Sequence, residues 1–147
     1  MKALRLFPGE KNTEFEIIEY EYTTLKEKKK MVGVNSDGTL GWRFIDVSIM
    51  FFYDESKEEG MPTIDVCASD SRQFYYGSVI FVGFDNRGLG LEGGLDQNQI
   101  DYIIKSLIGS NTTQINDRTI PRIETKEDVY GDEIMGEEII AGDEMFL

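Results

Sequence analysis

The 147 residues contain no histidine and a single cysteine, Cys67. Ser-His-Asp and Cys-His nucleophiles, His-ligated metals, intrachain disulfides and Cys-cluster metal sites are therefore excluded. What remains is a short inventory of groups with chemical potential. Gly88-Leu-Gly90-Leu-Glu-Gly93 has the spacing of a dinucleotide-binding glycine loop. Its glycines precede the helix cap at Asp96 rather than opening the helix, however, and no apolar strand follows, so the plainer reading is a flexible loop. Asp54, Glu55, Glu58 and Glu59, with Asp65 nearby, offer hard oxygen ligands, but their spacing matches no cation loop and Lys57 sits among them, which describes a solvated charged segment. No pair among the 28 acids is singled out for acid/base work. Cys67, in mid-strand and without a histidine partner, reads as a small buried thiol. The expectation is a protein without catalytic residues, metal or cofactor.

The aromatic runs Phe51-Phe52-Tyr53 and Phe74-Tyr75-Tyr76 carry more information. Consecutive residues of a strand point to opposite faces, so such runs either expose rings or lie in a sheet covered on both sides. Exposed rings stack on unpaired bases or on a free nucleotide. Phe74 and Tyr76, with Arg87, Gly88 and Gly90 of the glycine loop, are accordingly the candidate ligand-binding residues. The basic cluster Lys26, Lys28, Lys29 and Lys30 reads as a solvated turn.

Residues 1 to 84 read as strands: Ala3 to Phe7, ending at Pro8-Gly9; Phe15 to Tyr22, with a bulge near Ile18; Met31 to Val34 and Leu40 to Phe44, joined as a hairpin through Asp37-Gly38; Arg43 to Tyr53; Thr63 to Ala68; and Phe74 to Phe84. One helix is signalled, from Asp96 to about Ile108. Asp96 and Gln99 form a capping box, Leu95 and Ile100 a hydrophobic staple, and Ile100, Ile103, Ile104 and Leu107 a single apolar stripe. The expected fold class is α+β, a mostly antiparallel β-sheet with one C-terminal helix packed on it, over residues 1–110. Residues 111–147 are expected to be an acidic extension, flexible or ordered by a partner.

The extension holds most of the charge. Of a net −13, residues 127–147 contribute eight acids and no Lys or Arg. They repeat as Gly131-Asp-Glu-Ile-Met, Gly136-Glu-Glu-Ile-Ile and Gly142-Asp-Glu-Met-Phe. Ile134, Ile139, Met145, Phe146 and Leu147 are thus apolar points in a field of carboxylates, the candidate partner-binding residues. No stretch approaches the length of a membrane span, and the first residues lack a signal-peptide core, so a cytoplasmic protein is expected, with a homo-oligomer as the assembly.

The opening Met1-Lys2-Ala3 with Pro8-Gly9, the segment Gly77-Ser-Val-Ile-Phe-Val-Gly83-Phe-Asp85 and the following Leu95-Asp-Gln-Asn-Gln-Ile100 resemble a domain family of unknown function carried by phages and integrative elements. The resemblance spans about residues 1–108 and is strongest over 77–104; it implies a mobile-element origin and a small α+β fold, and no activity. Two functional expectations follow. The first is a non-enzymatic phage or mobile-element accessory protein that blocks a host defence protein, by acidic mimicry of nucleic acid or by sequestering a nucleotide signal. The second is a single-stranded DNA-binding protein whose acidic tail recruits partners.

Overall fold

The computed structural model describes residues 1–19, 24–46, 48–69, 71–85 and 91–125. In chain order the elements are β1 (Lys2–Pro8), β2 (Thr13–Glu19), α1 (Leu25–Val32), β3 (Leu40–Asp46), β4 (Ile49–Asp54), β5 (Pro62–Cys67), β6 (Arg72–Tyr76), β7 (Val79–Asp85), β8 (Leu91–Gly93), α2 (Gln97–Tyr102) continuing as a π-helical turn (Ile103–Leu107), β9 (Thr112–Ile115) and β10 (Arg118–Glu124). They build two sheets. The larger runs β2-β1-β7-β4-β3, with β8 also paired to β7; the smaller runs β6-β5-β10-β9. Every pairing is antiparallel except β5 with β10.

Strand alternation explains the layers. Leu4, Leu6, Ile49, Phe51, Val79 and Phe81 leave one face of the large sheet and meet Ile64, Val66, Tyr75 and Ile123 of the small sheet, together with Ile100, Ile103 and Leu107. Their neighbours in sequence, Ala3, Met50, Phe52, Ile80 and Val82, leave the other face and meet Val32 and Val34 at the end of α1. The continuous apolar runs of β4 and β7 are thus those of strands covered on both sides. Burying rings such as Phe51 and Phe81 completely supplies about 1.5–3 kcal/mol each.

The helix beginning after Asp96 has the start that its cap residues specify. The Asp96 carboxylate accepts from the Gln99 amide at 2.8 Å, and the Gln99 side chain accepts from the Asp96 amide at 2.9 Å. Ile100, Ile103 and Leu107 are buried, whereas Ile104 is only partly so. The wide turn, closed by Ile108 N–H donating to Ile103 O at 2.9 Å, brings Leu107 back above Ile103 and turns Ile104 toward the rim. Ile103→Ala is therefore expected to cost about 2–5 kcal/mol in urea denaturation and Ile104→Ala distinctly less. Equal costs at the two positions would contradict this placement of the stripe.

Several elements differ from the sequence expectation. Met31 and Val32 end a second helix, α1, instead of starting a strand: Thr24 caps it by accepting from the Glu27 amide, and Gly33, at φ 91°, closes it in the left-handed region. Asp37-Gly38 therefore joins a helix to β3 rather than two strands. The basic cluster lies on this helix, with Lys28 buried against the sheet, and is not a turn. The stretch from Arg43 to Tyr53 is a hairpin of β3 and β4, not one strand. Phe74 to Phe84 divides at Gly77, φ 76°, into β6 and β7, which belong to different sheets. β2 keeps one unbroken register with β1, from Lys2↔Glu19 to Pro8↔Thr13, so there is no bulge at Ile18. The ordered fold also continues past residue 110. Residues 112–124 form β9 and β10, and β10 buries Ile120 and Ile123 completely or nearly so. The acidic segment 126–147 lies outside the described residues.

Candidate functional site

Asp65, on β5, is the most unusual polar side chain of the small sheet, being fully buried. Cross-strand register places it opposite Phe74 and Arg122, and places Cys67 opposite Arg72 and Glu124. The Arg72 guanidinium lies over the carboxylate, with Nε at 3.0 and 3.1 Å from its two oxygens and Nη2 at 2.8 Å from one of them. Thr113 Oγ1 donates to it at 2.6 Å, and the Cys67 thiol is 3.7 Å away. Burial alone raises the pKa of Asp65; the hydrogen bonds from Arg72 and Thr113 and the Arg72 charge outweigh it and hold the carboxyl below the usual range. Burial, and then the Asp65 charge, push the Cys67 thiol up, so it stays a protonated thiol at neutral pH rather than a nucleophile. The cluster is an electrostatic clasp between β5, β6 and β9. Asp65, read from sequence as an accessory to the acids of the 54–59 loop, is engaged instead by Arg72, Thr113 and Cys67 of its own sheet.

Phe74 and Tyr76 share one face of β6 with Arg72, both partly buried, and the Arg72 guanidinium carbon stands 5.1 Å from the Phe74 ring centre. Arg87, Gly88 and Gly90 lie outside the described residues, as do Ile134, Ile139, Met145, Phe146 and Leu147. Of the other aromatics in the two runs, Phe51, Phe52 and Tyr75 are buried. Phe51, Tyr53, Tyr75 and Phe81 pack as a cluster with ring centres 4.5–5.7 Å apart. Burial raises the Tyr53 hydroxyl to about 12, and Tyr75 is also raised by burial although its hydroxyl accepts from Arg43 at 2.8 Å. These two phenols remain neutral and serve packing.

The rings that do reach solvent among the described residues, Phe15, Trp42 and Tyr102, are ones that the aromatic runs did not point to, and of these Trp42 lies on the same face of the large sheet as the basic helix α1. Trp42, on β3, is 45% exposed. It meets Phe44 edge-to-face at 5.6 Å, and Phe44 meets Phe84 edge-to-face at 4.8 Å, so the indole is braced from one side by a row of rings. The cross-strand neighbour of Trp42 is Phe52. Over Phe52, with its ammonium 5.6 Å from the ring centre, lies Lys28 of α1. Burial pulls the pKa of Lys28 below the ordinary lysine value. The same helix carries Lys26, Lys29 and Lys30 against the single acid Glu27. An exposed indole and the lysine helix thus share one face of the large sheet. The signal in the sequence was the alternation Leu40, Trp42, Phe44, with the only tryptophan of the chain in its centre.

Among the described residues no helix is long and apolar enough to cross a membrane. Comparison of the chain with protein-family models, with curated proteins and with solved structures finds no match.

Proposed function

We propose that this protein acts by binding rather than by catalysis, and that its ligand is an unpaired base carrying phosphate, with the base stacked on Trp42 and the phosphate beside the lysines of α1. The observation that carries this reading is the exposed, braced indole one strand away from Lys28. A flat ring with one open face stacks on any base, and the lysines of α1, on the same face of the sheet, supply the countercharge that phosphate needs. In a chain of net −13, a local excess of lysine at an aromatic surface supports an anionic ligand at that place rather than general attraction to nucleic acid.

Two sources share this chemistry. A free nucleotide corresponds to an accessory protein that sequesters a signal and so blocks a host defence protein. Single-stranded DNA is the other source. Acidic mimicry, by contrast, rests on residues 127–147, beyond the described part of the chain.

Intrinsic fluorescence tests the reading, because Trp42 is the sole tryptophan. Quenching is expected on titration at low salt with an adenosine nucleotide, with oligothymidylate of about eight nucleotides, or with both. Quenching by the nucleotide alone identifies a sequestered signal; stronger binding of the oligonucleotide identifies single-stranded DNA. With a fluorescent ligand followed by anisotropy, Trp42→Ala is expected to weaken binding about tenfold or more. In the single-stranded DNA case, replacing both Lys26 and Lys30 with Gln should flatten the salt dependence, by about 0.7 in the logarithmic slope for each phosphate no longer neutralised. Absence of quenching by both ligands at low salt rules the proposal out.

A further inference from the structure

β2 is an edge strand of the large sheet: β10 touches its outer side only at the approach to the strand, through the Asn12–Thr119 bridge and the Thr119 N–H donating to Lys11 O at 3.1 Å, and among the described residues no strand pairs along Thr13–Glu19. Its register with β1 sets Phe15 opposite Leu6 and Ile17 opposite Leu4, on the face that forms the main core. Leu4 and Leu6 are fully buried, whereas Phe15 is 47% and Ile17 49% exposed. An uncovered apolar pair at an open edge is the arrangement that folded proteins ordinarily blunt with charge, proline or a covering element. We propose that this edge is the interface between two copies of the chain, the β2 strands pairing antiparallel about a two-fold axis at Glu16 to join the two large sheets. This surface is separate from the Trp42 face, and the inference does not rest on the binding function.

The register is self-complementary. A two-fold axis through Glu16 sets Phe15 of each copy against Ile17 of the other on one face of the joined sheet, so both exposed apolar residues on each edge gain an apolar partner. On the opposite face the two Glu16 side chains meet, and each is already neutralised: Arg5 Nη1 donates to Glu16 Oε2 at 2.6 Å within its own hairpin. The joined row then reads Arg5, Glu16, Glu16, Arg5 across the interface. Charge selects the same partner on a larger scale. In residues 1–19 three basic side chains (Lys2, Arg5, Lys11) nearly balance four acidic ones (Glu10, Glu14, Glu16, Glu19), although the whole chain carries −13. Two such chains approach most easily through this nearly neutral hairpin, because elsewhere like charge opposes association.

Analytical ultracentrifugation of the full chain should show a dimer, and Ile17→Lys should shift it to monomer while leaving the thermal midpoint close to that of the parent, since the position is half in solvent. A disulfide reports the register independently. In a Cys67→Ser background, Glu16→Cys should cross-link two copies on mild oxidation, because residues on the axis face one another at a separation that a disulfide spans. Glu14→Cys, opposite Ile18 of the partner copy in this register, should not. A chain that stays monomeric at high micromolar concentration overturns the proposal. So does a dimer that survives Ile17→Lys, or cross-linking at residue 14 in preference to 16, each of which places the contact or its register elsewhere.

Discussion

Phe51→Ala is expected to remove about 3–5 kcal/mol of stability, the cost of deleting a fully buried phenyl ring from a core that closes only partly around the gap. Phe51 stands where the two sheets meet: its ring centre is 5.2 Å from that of Phe81 on the neighbouring β7 and 5.0 Å from that of Tyr75 on the facing β6. Tyr53, two residues along the same strand face, completes the cluster at 5.7 Å. No single neighbour can swing in to fill the space, because each is held in edge-on or tilted packing by the others. Set against a domain stability of about 5–15 kcal/mol, a loss of this size leaves the variant marginally folded. Equilibrium denaturation should show the midpoint falling with the slope unchanged. A cost below about 1 kcal/mol would mean that the sheets do not meet at Phe51.

Arg72→Ala is expected to lower the thermal midpoint strongly at neutral pH, although the arginine itself is 51% exposed. The damage falls on Asp65, which is left ionised, fully buried and without its cation. In the parent the carboxyl is held below its unfolded pKa near 4. Its contribution is therefore fully present above that unfolded value and is lost as pH falls through the folded one. In the variant the arginine's hydrogen bonds and charge are gone and burial is opposed only by the hydrogen bonds from Thr113 and Cys67, so the folded pKa rises and the stability that ionisation contributes at neutral pH falls. The difference between parent and variant should consequently narrow as the solution is acidified, when Asp65 takes up a proton in both. Adding Asp65→Asn to Arg72→Ala should recover part of the midpoint at pH 7, since a neutral amide can sit beside Thr113 without a buried charge. A double variant less stable than Arg72→Ala alone would show that the ion pair is not the source of the loss.

What the chain states locally it states well. The helix start at Asp96 is written in adjacent residues, a capping box and a staple that depend on nothing distant, and the structure has it there. The strand character of β1, β4, β5 and β7 is equally legible, because β-branched and aromatic residues in short runs suit a pleated surface wherever they end up. Decisions involving distant partners were not legible. α1 is short and lysine-rich, with Lys28 buried on its sheet-facing side over Phe52, so its pattern resembles a charged turn until the sheet beneath it is present. β9 and β10 are polar strings whose place is set by the parallel pairing of β10 with β5, more than fifty residues back along the chain. Only Ile120, Pro121 and Ile123 are buried there, and loop closure of that length leaves no local trace.

The candidate sites divide in the same way. Trp42 and Phe44 share a face by simple alternation, and Asp65 and Arg72 come together only because a turn between β5 and β6 sets their register. Which of the many rings stays in solvent was decided by tertiary packing alone. Alternation assigns each residue to a face, but only the arrangement of the layers determines that α1 and the small sheet cover Phe51, Phe52 and Tyr75 and leave Trp42 at the open edge.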